Sequence, residues 1–197
     1  ELTGRGVSYC GTCDGWFFKG KKVVVVGGGD SALEEALFLT RFASSVTIIH
    51  RRDSLRAGAI LQKRAVENPK ISFRWNTIIT KANGEEKLEY IIIKDIITGE
   101  IETYPTDGLF IFIGHTPNTQ LYQGQIDMDG KGYIKTDLTM NTNIPGVFAA
   151  GEVMDSHYRQ VVTSAGMGAA AAIQAGRFTR SDPSSTQEGP SSFSAPL

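Results

Sequence analysis

The chain has 197 residues, 41% of them hydrophobic, with 20 basic and 21 acidic side chains and a formal net charge of -1. That is enough for one large domain, or a domain and a half, with an adequate core. It gives no overall attraction to nucleic acid or to an anionic membrane surface, and the longest apolar runs, at 23–26 and 109–113, are far too short to span a bilayer.

In chain order, residues 1–20 form a lead segment of glycines, Cys10-Gly11-Thr12-Cys13 and Trp16-Phe17-Phe18. Residues 23–26, all valine, predict a strand buried on both faces of a parallel sheet. Residues 27–30 make a glycine turn. Residues 31–42 predict a helix, with Leu33, Ala36, Leu37 and Thr40 at helical spacing. Residues 46–49 predict a second buried strand, ended by His50-Arg51-Arg52. Strand, helix and strand in this order make one βαβ unit, whose crossover is expected to be right-handed.

A second helix is predicted over 56–67, stopped by Asn68-Pro69, and a third strand over 71–75. Residues 76–103 alternate, with turn signals at Asn83-Gly84 and Thr98-Gly99, which predicts antiparallel hairpins attached to the sheet. A further buried strand is expected at 109–113. Past Pro117, short strands are expected at 133–135 and 147–150, then a small-residue helix over 159–177 that packs closely on another backbone or a flat ligand. Residues 181–197, rich in Ser and Pro, read as a disordered tail. The chain opens without a signal-peptide pattern and without Met, so a processed or excised segment stays open.

Three groups of residues carry chemistry. The first is Gly27-Gly28-Gly29-Asp30-Ser31-Ala32, a dinucleotide fingerprint in the context it requires, after a strand and opening a helix. Gly27 permits the tight turn, Gly29 lets a phosphate approach the backbone, Ala32 keeps helix and strand close, and the helix N-terminus attracts the anion. The alternative is a glycine turn of another α/β fold.

The second group is His50, Arg51 and Arg52, with Arg56 four residues on. An NAD site usually has Asp or Glu at this place, and a carboxylate repels a 2′-phosphate. Guanidinium groups bind phosphate oxygens in a bidentate fork, so the sequence favours NADPH over NADH. A solvated basic helix start is the plainer reading.

The third group is Cys10 and Cys13, the only cysteines. Structural zinc lacks ligands, because the three histidines are scattered at His50, His115 and His157. A redox pair fits: one thiolate attacks a partner disulfide and the other resolves the mixed disulfide. Two cysteines in a chain this long are too few for a secreted disulfide framework and fit a cytoplasmic redox motif, although two inert buried thiols also satisfy the spacing. Asp14 beside the pair is either a general acid for a leaving thiolate or a turn residue.

Taken together, residues 8–15 (SYCGTCDG), 26–36 (VGGGDSALEEA), His50-Arg51-Arg52-Asp53 with Arg56-Ala57, Gly114-His115-Thr116-Pro117-Asn118, and 145–153 (PGVFAAGEV) with Tyr158-Arg159-Gln160 resemble the bacterial low-molecular-weight thioredoxin reductases, from about Gly4 to about Phe178. The resemblance implies an α/β fold: a Rossmann-like three-layer NADPH-binding domain over 4–114, then 115–180 as the C-terminal part of an FAD-binding domain. It implies electrons passing from NADPH to FAD, to the Cys10/Cys13 disulfide, and to thioredoxin. Cys13 would face the flavin, Cys10 would attack the partner and Asp14 would be the general acid. Gly27 to Ala32 with Arg51, Arg52 and Arg56 would hold NADPH, and Gly151, Glu152, Arg159, Gln160 and Val161 match the flavin-contacting motifs. A homodimer in the cytoplasm, with a rotating NADPH domain, is the family expectation.

Two departures modify it. The family's first glycine fingerprint, for the FAD pyrophosphate, is not in this sequence, and Glu152 stands where the family usually has Asp. The expectation is a chain that binds NADPH but, by itself, holds flavin weakly or not at all. A flavin-free NADPH-binding module and a reductase of another partner, peroxiredoxin-linked or ferredoxin-dependent, are the competing readings.

Overall fold

Lys22–Val26 forms the central strand, β2, of a five-stranded parallel sheet. Its neighbours are Ser45–Ile49 (β3) on one side and Gly108–Ile111 (β8) on the other, with Ile71–Arg74 (β4) and Val7–Ser8 (β1) at the edges. All four pairings are parallel. This computed structural model describes residues 2–181. It divides the chain into two compact units, Glu1–Gly114 and His115–Leu197.

Period-two patterning decides where the valines go. Val23 and Val25 join an apolar cluster with Leu33, Ala36 and Leu39 of the helix Asp30–Leu39 (α2) and Ala65 of the helix Ala59–Val66 (α3). Val24 and Ile49 face a second cluster with Leu88, Ile91 and Ile93. The second cluster rests on a separate antiparallel sheet of Thr77–Asn83 (β5), Tyr90–Asp95 (β6) and Ile101–Pro105 (β7). Helices, parallel sheet and antiparallel sheet thus form three layers. Leu33, Leu39 and Ile48 are fully buried, and burying each contributes roughly 1.5–3 kcal/mol.

Several expectations are corrected. The hairpins at 76–103 make their own sheet instead of extending the parallel one, because their apolar face covers that sheet. The lead segment supplies a strand, β1, that its two residues were too short to reveal by alternation. Helix α2 stops at Leu39, not at 42. Helix α3 starts at Ala59, not at 56, because the Arg56 and Ala57 N–H groups donate to the Gly28 carbonyl at 2.7 and 3.2 Å.

In the second unit, the strands expected at 133–135 and 147–150 are single bridges, Met128 with Ile134 and Asn141 with Phe148. The last helix, α4, runs Val161–Ser181. It starts two residues late because Arg159 sits at φ 50°, outside helical geometry. Ser181 therefore ends a helix, and the rest of the expected tail, 182–197, lies outside the described residues.

Candidate functional site

The glycine turn leaves the carboxyl end of β2, between β3 and β8, where the chain steps from β2 to β3 on one side and returns as β8 on the other. That topological switch is where open α/β sheets bind ligands. Gly27 has φ 149°, and a side chain there would overlap the Phe112 carbonyl and stand 2.7 Å from Ala32 Cβ. A Cβ on Gly29 would meet nothing within 4 Å. Gly29 caps α2 without a side chain, so the helix N-terminus is open to an anion. Asp30 accepts from the Gly58 N–H at 2.7 Å and ties the turn to the start of α3, while Ser31 is exposed and Ala32 is buried beneath it. The turn therefore fits a pyrophosphate on observation as well as on sequence.

Arg51, Arg52 and Arg56 are exposed beyond β3. His50 differs. Its ring is buried under Gly28, where a side chain would come within 2.6 Å of both ring nitrogens. Burial holds the His50 pKa below its ordinary value, and the three arginines push it the same way. The structure makes it a neutral floor for the turn, set apart from the arginines it adjoins in sequence.

Cys10 and Cys13 form a disulfide, with Cα atoms 5.3 Å apart. Cys10 is the N-cap of the four-residue helix Gly11–Asp14 (α1), and the Cys13 N–H points at its sulfur, 3.2 Å away. Cys13 is exposed and Cys10 half-buried. Cys13 is thus the more exposed residue of the two, while the N-cap place ranks Cys10 as the better supported thiolate. Ser8, at the end of β1, donates to Asp14 Oδ2 at 2.7 Å and receives the Cys10 N–H at 3.1 Å. Because β1 and β2 both pair in parallel with β8, dithiol and glycine turn follow strands that end at the same edge of one sheet.

Gly114, the last residue of the first unit, has φ 101°, and Gly151 in the second has φ 76°, which glycine accepts freely. Glu152 is exposed in the short helical turn Gly151–Val153, and Val161 is 88% exposed at the start of α4. Gln160 is half-buried just before it, with its carbonyl accepting from the Ser164 N–H. Arg159 Nη1 meets His115 Nδ1. These residues line one stretch from 151 to 161, with a carboxylate, amide and backbone groups suited to polyol hydroxyls and an apolar helix start suited to a flat ring.

Sequence reasoning missed three residues. Asp155 is buried and accepts N–H groups from His157, Tyr158 and Arg159 at 2.8–2.9 Å, so it builds the loop that presents Arg159 and Gln160. Burial raises its pKa, but those donors together outweigh burial and leave it below its ordinary value. Ser8 links Asp14 to the dithiol. Glu35 faces α1 from α2. Asp155 had a weak signal as an Asp in a loop; Ser8 and Glu35 act across elements and had none.

Among the described residues, no group of three or more His, Cys, Asp or Glu is placed to hold a metal, and no helix is long and apolar enough to cross a membrane. The larger cavity, about 650 Å³ around Gln123, Asp127 and Lys131, contains none of the candidate residues, so volume does not locate the site. A smaller one, about 260 Å³, reaches Ser8, Asp14 and Phe17 beside the disulfide.

Comparisons with known proteins show the family. The family described as pyridine nucleotide-disulphide oxidoreductase matches residues 1–168. A thioredoxin reductase of Streptomyces clavuligerus is 54% identical over 178 residues, covering 90% of this chain and 55% of the relative. One from Bacillus subtilis is 50% identical over 173 residues, covering 87% and 55%. The crystal structure of thioredoxin reductase from Streptococcus pyogenes superposes with a TM-score of 0.85 at 43% identity, covering 90% of this chain and 58% of that one. The chain thus spans a little over half the length of the relatives it matches.

Proposed function

The chain belongs to the pyridine nucleotide-disulphide oxidoreductase family, and we propose that it serves NADPH-dependent reduction of thioredoxin or a thioredoxin-like protein. The observation that carries this reading is the Cys10–Cys13 disulfide packed beside the helix that carries the glycine turn. Gly29 and the N-terminus of α2 would hold the cofactor pyrophosphate. Arg51, Arg52 and Arg56 would hold the 2′-phosphate, with the buried His50 ring as the floor beneath Gly28.

Gly151, Glu152, Arg159, Gln160 and Val161 would hold part of an FAD, which would supply the two-electron chemistry between nicotinamide and disulfide. The second glycine fingerprint that its pyrophosphate requires is not within these 197 residues. The chain's own residues do the rest. Once the pair is reduced, the Cys10 thiolate, supported by the Cys13 N–H, attacks one sulfur of the partner disulfide. The partner's other sulfur leaves and takes a proton from Asp14, which Ser8 orients. The Cys13 thiol then gives its proton to the Asp14 carboxylate and attacks Cys10 Sγ; the internal disulfide re-forms, the partner's second sulfur leaves and takes that proton, and the partner departs as a dithiol. Tyr9, Trp16 and Phe17, exposed around the pair, give the partner an apolar landing. A homodimer in the cytoplasm, where NADPH and reduced thiols are kept, suits this role.

The test is NADPH oxidation with thioredoxin, with and without FAD, by this chain and by one completed to the full length of its relatives. The completed chain turns over and the 197-residue chain binds NADPH without appreciable turnover. An inactive completed chain overturns the reading. Colourless protein that binds NADPH at every length favours a flavin-free module instead.

A further inference from the structure

Glu35 lies on α2, about 7.5 Å of helix rise beyond Asp30. Its side chain is half-buried, and its Oε2 is buried with no hydrogen-bond partner. It points at Gly11, where any side chain would overlap that same oxygen. Gly11 is the first residue of the helical turn that joins the two cysteines.

The donors of that turn can be accounted for one by one. The Asp14 N–H donates to the Cys10 carbonyl at 3.2 Å, and the Cys13 N–H points at Cys10 Sγ. The Gly11 and Thr12 N–H groups face the Glu35 carboxyl. A carboxyl group from another helix thus stands beside the donors that would otherwise gather around a thiolate at the N-cap, although its Oε2 makes no hydrogen bond with them.

We propose that Glu35 is a positioning residue for the redox pair: its carboxyl packs against the first turn of α1 at Gly11 and, through its charge beside the Gly11 and Thr12 N–H groups, keeps the Cys10 thiol less acidic and the disulfide harder to reduce than a CxxC turn would otherwise be. The physical reason is direct. Thiol acidity at a helix N-cap rises with the number of free N–H groups and falls with nearby negative charge. Burial raises the Glu35 pKa, the two N–H groups lower it, and Glu34 on the same helix raises it again, for a net rise. The other ionisable group on α1 is Asp14, engaged by Ser8. This role deepens the reductase reading, which supplies the reason for reducing the pair at all.

The experiment needs neither NADPH nor thioredoxin. The chain is reduced, and the rate of Cys10 alkylation by iodoacetamide is followed against pH, for the parent and for Glu35→Gln. The expected result is a profile moved to lower pH, with alkylation at least about threefold faster on its acid limb. The same variant lies further toward the dithiol in a glutathione redox buffer. Gly11→Ala, whose new methyl displaces the carboxyl, shifts the profile in the same direction, and Gly11→Ala/Glu35→Gln moves it no further than Glu35→Gln alone. Gly11→Ala decides the matter if Glu35→Gln does not fold.

Superimposed profiles for parent and variants overturn the proposal, as does a shift to higher pH. A shifted profile in a chain that fails to reduce thioredoxin at full length leaves this inference standing and removes only the reductase reading. Thioredoxin reduction with an unmoved profile does the reverse.

Discussion

The two units of this chain are held together in different ways. The first encloses its own apolar residues: both described core clusters lie wholly before Gly114, and Val25, Leu33, Ile48 and Phe110 have no exposed surface at all. The second shows Leu121, Leu138, Val161 and Val162 to solvent, and order there runs through carboxylates. Asp129 accepts N–H groups from Lys131 and Tyr133, Asp137 from Thr139 and Asn141, and Asp155 from three residues in a row. Apolar burial is cooperative over a whole sheet, whereas an Asp-centred turn stabilises a few residues around one side chain. The glycine turn and the dithiol stand on the first kind of support, and the stretch from 151 to 161 on the second.

The largest expected difference is in tolerance to truncation of side chains. Leu33→Ala or Ile48→Ala should cost about 2–5 kcal/mol of stability. Leu121→Ala and Leu138→Ala should stay within about 0.5 kcal/mol, both read by urea unfolding. A costly Leu138→Ala would break the contrast by revealing packing in the second unit.

On the proposed reading, cofactor choice belongs to the first unit. Arg51→Ala and Arg52→Ala should each weaken NADPH by about 1.5–3 kcal/mol in a binding titration, and leave NADH nearly unchanged. Equal losses for the two nucleotides would place the arginines elsewhere than at the 2′-phosphate. Next comes the second unit's own support. Asp155→Ala strands three N–H groups and should cost about 1–3 kcal/mol locally. Amide exchange should accelerate over residues 156–164 and remain unaltered in β2 and β3.

The smallest effect is a pair of opposite pH slopes. Glu35 has a raised pKa, so its contribution to stability is complete below its ordinary value of 4.5 and is lost as pH rises through the folded value. Asp137, held down to about 2 by Asn141 and Thr139, contributes above its ordinary 3.8, and that contribution is lost as pH falls toward 2. Glu35→Gln and Asp137→Asn should each flatten only their own limb of a stability-against-pH curve. Slopes of the same sign would contradict the assignment of one of the two carboxylates.

The same contrast explains what was legible in the sequence. Val23 to Val26, the glycine turn and α2 announce themselves because their burial follows a short period in the chain. The dinucleotide turn, the basic strand end and the dithiol could all be named by residue. Strands at 133–135 and 147–150 were misread, since turns built around Asp129 and Asp137 place those residues without extended pairing. His50 looked like one more phosphate ligand beside Arg51; only the closeness of Gly28 reveals its buried ring. Glu35 stands in a Glu-Glu pair that reads as solvated helix surface, and its contact with Gly11 depends on how α1 folds back on α2.

The chain has two tryptophans, and the fold gives each a different neighbour. Trp16 stands three residues past Cys13, edge-on to Phe42 with ring centroids 5.8 Å apart. Trp75 stacks on Phe73 and meets the edge of the His50 ring, which supports Gly28. The protein thus carries two intrinsic fluorophores at separate stations. On the proposed reading, opening the disulfide should brighten Trp16, because a disulfide quenches a nearby indole, and a nucleotide in the glycine turn should perturb Trp75 through the His50 ring. Replacing either indole by phenylalanine should leave a single reporter, one for electrons and one for nucleotide, with no label attached.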